Sequence, residues 1–445
     1  MLKKVGLVSL GCARNLVDSE VILGSLKREG FAVSNGTKSV DICVINTCAF
    51  IGPAREESVD TILEAGRLKK EGRIKKLVVC GCLPQAYKKD LVTQLPEVDL
   101  FVGTSDFPKI GGLLKKLSGA GGAYAVSETL DYLYDEKSPR FRLLPKHYAY
   151  VKISEGCSNF CSYCIISRLR GSFRSRTIRS VVEETRSLSR GGRLKEANLV
   201  GQDTTLFGLD IYGKMVLPEL LGRLCSLDNG PQWVRILYTH PAHYTDALID
   251  VIRENDKVCK YLDLPIQHIS DNILKRMNRR TTKDDLVRLI DRLKDNIPGI
   301  ALRTSIIVGF PGETEKDFKE LLKFLKDTEF DRLGAFLYSE EEGTPASRMK
   351  GRIPEEAARE RFDELMRLQK SISERRNRRF LGKRVRVLID EKPESPGGSF
   401  FGRTEADAPE TDGGVFVSGK RIMVGQFYDV KITDTLEYDL VGEVL

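Results

Sequence analysis

Short apolar runs alternate with helical stretches along most of this chain, and this alternation limits the possible folds more than any other feature. Three such runs fall in the first hundred residues, at positions 5–10, 42–45 and 77–80. Each run is short and continuous, as expected of a strand buried on both faces, and a helical stretch follows each one. We therefore predict an α/β protein whose amino-terminal part is a doubly wound sheet of parallel strands.

A second α/β region follows a polar linker at residues 127–139. Amphipathic helices separate its strand candidates. Six strands with intervening helices predict an incomplete barrel of the β/α kind, with its site at the carboxyl ends of the strands. The six candidates are residues 148–153, 197–201, 233–237, 261–266, 302–309 and 333–338.

The α/β alternation stops near the end of the chain. A basic helix at about residues 354–380 leads into short strand candidates separated by Gly-rich turns, a pattern that predicts a small all-β barrel. The length of 445 residues agrees with three domains of roughly 150 residues each. We place these domains at residues 1–138, 139–378 and 379–445. The strand candidates of the last domain are residues 385–389, 415–417, 423–424 and 428–432.

The strongest chemical signal is a group of three cysteines in the loop after the first barrel strand. Cys157, Cys161 and Cys164 are close enough in sequence for their thiolates to ligate three irons of a [4Fe–4S] cube. The fourth iron is then open to chelate a small molecule. A zinc site is the alternative, although zinc usually has four ligands. The C-x3-C-x2-C spacing resembles the radical S-adenosylmethionine (SAM) superfamily, which implies that these cysteines are catalytic and that Tyr163 contacts the adenine of SAM.

Three more cysteines, Cys12, Cys48 and Cys82, each follow one of the first three predicted strands. The carboxyl ends of parallel strands meet at one edge of a sheet, where such sheets bind ligands, so we expect these cysteines to converge. The alternative is three buried thiols, since cysteine is among the most buried residue types. Cys43 and Cys80 lie within strands and are expected in the core. The chain has ten cysteines, and in a reducing cytosol clustered cysteines are more often metal ligands than bridges.

Polar residues and a glycine-rich turn lie at other predicted strand ends of the barrel. Gln202, Asp203 and Gln267 follow strands there, and Gly309 begins a turn between a strand and a helix. Such residues can orient a cofactor, and strand-end capping is the alternative. Arg303 and Gln202 are the candidates for holding the charged end of SAM by charge-assisted hydrogen bonds.

The same segments support two local predictions. Thr314 and Asp317 match the pattern of a capping box, which predicts the start of a helix. His240, His243 and His268 could each serve as a general acid or base, and their spacing does not choose among them.

The net charge of +8 is distributed unevenly. Residues 382–445 contain eight Lys and Arg against twelve Asp and Glu, so the rest of the chain is strongly basic. A basic body favours an acidic partner such as ribosomal or transfer RNA, the acidic tail favours a basic partner, and solvated surface is the alternative for both. No apolar run approaches the roughly 18–20 residues that cross a bilayer, so we expect a cytoplasmic protein with no membrane contact.

The motifs together resemble the methylthiotransferase family of radical SAM enzymes over nearly the whole chain. The resemblance implies an N-terminal cluster domain, a radical SAM barrel and a C-terminal TRAM β-barrel. It also implies that Cys12, Cys48 and Cys82 hold a second [4Fe–4S] cluster, that SAM is the other cofactor, and that an external electron donor and a sulfur donor take part. The matching segments are Ser9-Leu10-Gly11-Cys12, Asn15 with Asp18-Ser19-Glu20, Asn46-Thr47-Cys48, Gly81-Cys82, the three-cysteine loop, Arg170-Gly171 with Arg174-Ser175-Arg176, and Gly309-Phe310-Pro311-Gly312-Glu313-Thr314.

Within this family, Gln202-Asp203, Gln267-His268 and residues 402–413 are similar to the RimO-type branch. That branch modifies an aspartate of small-subunit ribosomal protein S12 at its β-carbon. The resemblance implies S12 as partner, free or within the small subunit, with direct RNA contact as a further option. The alternative enzyme is a transfer-RNA adenosine methylthiotransferase, and the alternative class is a non-catalytic RNA-binding protein that holds iron–sulfur or zinc.

Three positions depart from the family pattern. Ala13-Arg14 stands where Pro-Lys is usual, Ser167 replaces a proline after the third cysteine, and Glu340 replaces another proline. None of these positions is expected to touch a proposed ligand, so the departures concern the shape of loops.

Overall fold

The amino-terminal sheet confirms the predicted α/β winding. The computed structural model of the protein describes residues 3–117, 122–395 and 397–445. The strands of the first sheet are β1 (Lys4–Ser9), β2 (Ala32–Asn35), β3 (Ile42–Thr47), β4 (Lys76–Gly81), β5 (Leu100–Val102) and β6 (Ala123–Ala125). They lie parallel in the order β2-β1-β3-β4-β5-β6. The winding changes direction at β1, and ligands bind beside such a switch point.

Helices cover both faces of this sheet. They are α1 (Ala13–Arg28), α2 (Gly52–Lys70), α3 (Cys82–Tyr87), α4 (Asp90–Gln94) and α5 (Ile110–Lys116), with a 3-10 turn at Phe107–Lys109. Ile42 and Val44 pack with α1 and α5 on one face, whereas Cys43 and Ile45 pack with α2 on the other. Cys43 and Cys80 are fully buried within their strands, as predicted. Every residue of β3 is buried because helices cover both faces of the sheet, which explains why the strand begins with a continuous apolar run.

The central region is the predicted incomplete barrel. Its strands are β7 (Tyr148–Lys152), β10 (Glu196–Val200), β11 (Trp233–Ile236), β12 (Val258–Asp263), β13 (Ala301–Val308) and β14 (Arg332–Leu337). They run parallel in chain order, from β7 at one edge to β14 at the other. A short antiparallel pair, β8 (Ser154–Glu155) and β9 (Arg174–Ser175), flanks the loop that follows β7.

The helices of the central region connect its strands, and the longer ones bury one apolar face against the barrel. They are α6 (Ile166–Arg170), α7 (Ile178–Leu188), α8 (Leu209–Tyr212), α9 (Leu217–Cys225), α10 (Asp246–Glu254), α11 (Asp271–Arg276), α12 (Lys283–Asn296), α13 (Glu315–Thr328) and α14 (Glu355–Arg378), with 3-10 turns at Pro241–His243 and Ala346–Arg348. Both groups of the predicted capping box of Thr314 and Asp317 are in place at the start of α13. Among the helices of the described chain, none is long and apolar enough to cross a membrane.

The carboxyl-terminal strands form a closed barrel, as predicted. They are β15 (Arg384–Glu391), β16 (Phe400–Arg403), β17 (Val415–Ser418), β18 (Phe427–Thr435) and β19 (Leu440–Val444). The barrel closes in the order β15-β16-β17-β19-β18. The predicted strand at residues 423–424 is wrong, because Met423 has no regular structure and a turn follows it at residues 424–425. The Met423 N–H donates to the Tyr428 hydroxyl at 3.0 Å. The sequence also missed β16 and β19, which are short and contain a glycine each.

The last residue of β16 and the segment that follows it dock against the amino-terminal ends of the central strands. We call residues 403–412 the docking segment. Ala406 and Ala408 are buried in a core shared with β7 and β12. Arg332, the first residue of β14, donates to Asp407 at 2.7 Å, and the Tyr261 hydroxyl donates to Asp412 at 2.7 Å. The small barrel is therefore held at the end of the central barrel opposite to the three-cysteine loop.

Candidate active site

A cavity of about 400 Å³ opens at the carboxyl edge of the central strands. Cys157, Cys161 and Cys164 line it, and Tyr163 lies between them. Burial raises the pKa of Cys157 to about 11 and that of Cys164 to about 12. Thiols with such pKa values stay protonated at neutral pH unless a metal displaces the proton. A second and larger cavity, about 890 Å³, lies behind the cysteine loop and is lined by residues such as Lys88; none of the cysteines lines it, so we place the chemistry in the smaller one.

Hydrogen bonds from outside the loop shape the three-cysteine loop. The Asn159 side chain donates to Asp203 at 2.8 Å, and the Ser162 N–H donates to the carbonyl of Met277 at 2.9 Å. Phe160 has a φ of 51°, a left-handed conformation that costs energy for a residue with a side chain. Arg279 donates to the Cys161 sulfur at 3.6 Å. The loop is therefore held in one shape by its neighbours rather than by its own sequence.

Cys12, Cys48 and Cys82 lie at one edge of the amino-terminal sheet, because each follows a strand and those three strands are neighbours. Gly11 has a φ of 84°, and a Cβ built on it would lie 3.0 Å from the Cys48 sulfur. Arg170 donates to the Cys82 sulfur at 3.4 Å. Glycine is thus required at position 11 both for its conformation and for the close approach of the two strand ends.

The two cysteine groups suit a multi-iron cluster better than a single ion. Within residues 3–117, 122–395 and 397–445, only Asp203, His240 and His243 bring three ligand atoms within 4.8 Å of one another. The three sulfurs of each group are therefore spread wider than one zinc ion requires, and each group has three thiols rather than four. Guanidinium groups beside the sulfurs of Cys82 and Cys161 also favour an anionic, thiolate-ligated group there.

Four of the predicted cofactor-binding residues line the cavity, namely Tyr163, Gln202, Gln267 and Arg303. Gln202 donates to Glu155 at 2.5 Å, and its side-chain oxygen has no hydrogen-bond partner in the described part of the chain. Gln267 has a φ of 70°, which indicates backbone strain at the site. Their positions agree with the predicted contacts to SAM, which stay predictions.

Arg303 differs from the other three because two carboxylates already neutralise its charge. Its guanidinium is 2.9 Å from Asp263 of β12 and 3.3 Å from Asp412 of the docking segment. The small barrel therefore helps to hold a residue that lines the cavity.

Asp203 and Gly309 are not among the residues that line the cavity. The Asp203 carboxylate accepts from Asn159 and from His243, each at 2.8 Å, and it is almost completely buried. Gly309 has a φ of 74° and would meet the Ala358 Cβ at 2.7 Å if it carried a Cβ of its own. The structure gives Asp203 a role in shaping the cysteine loop and gives Gly309 a role in packing against α14.

A buried ionic network that the sequence analysis missed lies between the two cysteine groups. Lys152 pairs with Asp18 and with Glu155, and Arg170 donates to Asp18 at 2.6 Å. All four side chains are at least 95% buried. Burial opposes ionisation of Glu155, yet the charges of Lys152 and Arg170 lower its pKa to about 2. Asp18 and Arg170 belong to segments that match the family, whereas nothing in the sequence signalled Lys152 and Glu155.

Arg14 is a second residue of the site that the sequence analysis did not predict. The expectation that the Ala13-Arg14 departure touches no proposed ligand is wrong, because the Arg14 Nε donates to the Cys12 sulfur at 3.4 Å. Arg14 also lines the cavity that contains the three-cysteine loop. It lies two residues after Cys12 in the sequence, and that closeness was the available signal.

Family comparisons match all three parts of the chain. Residues 4–103 match the Uncharacterized protein family UPF0004, residues 151–325 match the Radical SAM superfamily, and residues 381–445 match the TRAM domain. A radical SAM barrel with three cysteines at its edge, joined to a second cysteine-bearing sheet and to a TRAM barrel, defines the class of radical SAM methylthiotransferases.

Relatives identify the branch. The chain is 47% identical over 443 residues to the ribosomal protein uS12 methylthiotransferase RimO of Geotalea uraniireducens (strain Rf4), which spans 100% of this chain and 98% of the relative. It is 46% identical over 443 residues to the protein of the same name from Clostridioides difficile (strain 630), covering 99% of each. The chain belongs to the RimO family of methylthiotransferases.

Solved structures share the fold. The radical SAM methyltransferase TsrM from Kitasatospora setae, with cobalamin and a [4Fe-4S] cluster bound, superposes with a TM-score of 0.56 at 16% identity, over 78% of this chain and 77% of that one. The cobalamin-dependent SAM radical enzyme OxsB superposes with a TM-score of 0.54 at 14% identity, over 83% of this chain and 56% of that one.

Proposed function

We propose that this enzyme inserts sulfur and a methyl group at the β-carbon of an aspartate of ribosomal protein S12. The observation that carries the proposal is the similarity to uS12 methylthiotransferases over essentially the full chain, at 45% identity or more. Membership of that family does not favour the transfer-RNA alternative. The substrate is expected in the cytoplasm, free or within the small ribosomal subunit.

The proposed cofactors are SAM and two [4Fe–4S] clusters, one held by Cys157, Cys161 and Cys164 and the other by Cys12, Cys48 and Cys82. When bound, these groups supply the electron, the radical that removes hydrogen, and the sulfur and methyl that replace it. Tyr163, Gln202, Gln267 and Arg303 would hold SAM in the cavity. The buried network around Arg170 would keep the two cysteine groups at a constant separation.

The remaining partners follow from this chemistry. An external electron donor and a sulfur donor are proposed, since repeated turnovers consume both electrons and sulfur. The TRAM barrel is the proposed contact for the ribosomal substrate, with direct RNA contact as a further option. The acidity of residues 382–445 does not support S12 by itself, because Asp407 and Asp412 are used inside the chain against Arg332, Tyr261 and Arg303.

Mass spectrometry of the two candidate substrates tests the proposal. Reconstituted enzyme is incubated anaerobically with reductant and SAM, and with S12, small subunits or transfer RNA in parallel. We expect a methylthio group on an aspartyl peptide of S12 and unchanged RNA. A methylthio group on adenosine, with S12 unchanged, would assign the chain to the other reaction.

A further inference from the structure

The guanidinium of Arg14 lies between the two cysteine groups. Arg14 is the second residue of α1 and follows Cys12 closely, so its backbone belongs to the amino-terminal sheet region. Its Nε donates to the Cys12 sulfur at 3.4 Å, and its Nη1 donates to the carbonyl of Gly201, at the end of β10, at 3.2 Å. Its side chain also lines the cavity that contains Cys157. One residue thus reaches both groups.

The ring of Tyr238 packs against the Arg14 guanidinium. The Arg14 guanidinium lies 4.4 Å from the centre of the Tyr238 ring, a cation–π distance. Tyr238 itself has a φ of 58°, and its N–H donates to Asp263 at 3.0 Å. A bulky residue in the left-handed region is held there by its surroundings. The aromatic platform therefore fixes the direction of the guanidinium.

The charge of Arg14 has no carboxylate partner within residues 3–117, 122–395 and 397–445. The neighbouring cations differ in this respect, since Arg303 pairs with Asp263 and Asp412 and Arg170 pairs with Asp18. Across the same described ranges, Nη2 of Arg14 makes no hydrogen bond. A guanidinium presents planar donors that match a carboxylate. Nε of Arg14 already donates to the Cys12 sulfur, so Nη2 at the cavity wall is the donor that remains for an anion.

We propose that Arg14 binds the side-chain carboxylate of the acceptor aspartate and selects it over uncharged acceptors. The inference rests on the proposed function, because an acceptor carbon must meet both the SAM cavity and the second cysteine group. Arg14 is the residue at that meeting point. Its free Nη2 would hold the carboxylate next to the β-carbon and so orient that carbon between the two groups.

A carboxylate could also come from the methionine part of SAM, and the test separates the two sources. Arg14→Met removes the charge with little change in side-chain length. Arg14→Lys keeps the positive charge but lacks the paired N–H donors of a guanidinium. The acceptor is S12 with its natural aspartate, or S12 with Asn at the acceptor position. The measurements are kcat and KM for each acceptor, Kd for SAM, and iron content per chain.

Arg14→Met is expected to raise KM for the aspartate acceptor about 10- to 100-fold, the effect of losing a charged hydrogen bond. The preference of the enzyme for Asp over Asn should fall towards one. Arg14→Lys should retain part of that preference. Iron content and Kd for SAM should equal those of the natural chain, which also shows that the variant is folded.

Other results would overturn the assignment. An unchanged Asp-to-Asn preference together with a raised Kd for SAM would assign Arg14 to the carboxylate of SAM. An unchanged preference together with loss of about four irons would assign it to the Cys12 cluster alone. Failure of the natural chain to modify S12 would overturn the proposed function itself, and with it this inference, and no result with the variants can imitate that failure.

Discussion

At the scale of single residues, the ten cysteines fall into two chemical kinds. Cys43, Cys80 and Cys259 are buried within strands among apolar side chains, and Cys225 is buried at the end of α9. The six proposed ligands lie instead at strand ends and in one loop, and arginines contact several of their sulfurs. Position relative to the strand, rather than burial, separates ligands from core cysteines.

Substitution of the cysteines checks this division. Cys157→Ala should lose about four irons per chain and abolish formation of 5′-deoxyadenosine from SAM. Cys12→Ala should also lose about four irons but keep SAM cleavage, and it should stop sulfur insertion. Cys225→Ala, a buried position in α9, is the control and should keep all iron. Deoxyadenosine formation by Cys157→Ala would contradict the assignment.

The buried network offers a second prediction at this scale. Arg170 is 5% exposed and donates to Asp18 at 2.6 Å and to Asn15 at 3.1 Å. Arg170→Met removes one partner of a buried carboxylate, so the free energy of unfolding should fall by about 3–5 kcal/mol in urea titrations.

The control for that prediction is a neighbouring exposed residue. Arg168 donates to the carbonyl of Glu342 at the surface. Arg168→Met should change the free energy of unfolding by less than about 0.5 kcal/mol. Equal losses in the two variants would mean that the buried network contributes nothing specific.

At the scale of elements, the turn before α13 shows a local sequence pattern, the capping box, that forms as predicted. The Thr314 hydroxyl accepts from the Asp317 N–H at 3.2 Å, and the Asp317 carboxylate accepts from the Thr314 N–H at 2.9 Å. Gly309 and Gly312, at φ of 74° and 87°, allow the chain to turn from β13 into the helix. Only residues near in sequence are needed, so the pattern predicted the helix start.

Thr314→Ala should therefore lower the free energy of unfolding by about 1 kcal/mol, the usual loss for an N-cap. Thermal unfolding followed by circular dichroism is the measurement. Thr61→Ala is a matched control, because that hydroxyl bonds only the Glu57 carbonyl of its own helix. An equal loss of unfolding free energy in Thr61→Ala would mean that the capping role of the Thr314 hydroxyl adds no stability.

At the scale of the whole molecule, the acidic tail is an internal connector. Asp407 is 1% exposed and bonds Arg332 of the central sheet, while Arg403 pairs with Glu196 at 2.7 Å. Burial opposes ionisation of Asp390, yet a hydrogen bond from His147 and the charge of Arg403 hold its pKa below the usual value. Much of the charge that distinguishes the tail in the sequence is thus neutralised on folding.

Asp407→Ala tests this connection. It leaves Arg332 without its carboxylate partner, so the free energy of unfolding should fall by about 3 kcal/mol in denaturant titrations. Asp434→Ala, at an exposed position of β18, should change it by less than about 0.5 kcal/mol. If the two variants unfolded alike, the docking segment would contribute little to holding the barrels together.

The sequence by itself determined the three architectures, and it singled out the six cysteines that we propose as cluster ligands. Apolar periodicity marks β1, β3 and β4 and all six central strands, because burial of a strand depends on residues that are near in sequence. The Cys157, Cys161 and Cys164 spacing is equally local. The short strands β16 and β19 were not predicted, since a strand of four or five residues that includes a glycine has too little apolar periodicity.

Only the tertiary structure decided which partner each charged side chain contacts. Arg14 meets Gly201, Arg170 meets Asp18, and Arg332 meets Asp407, in each case across more than seventy residues of sequence. A sequence records how many charges there are but not which are paired, since pairing depends on distance in the folded chain and on exclusion of water. For that reason the sequence predicts an external partner for the acidic tail and only a change of loop shape at Arg14.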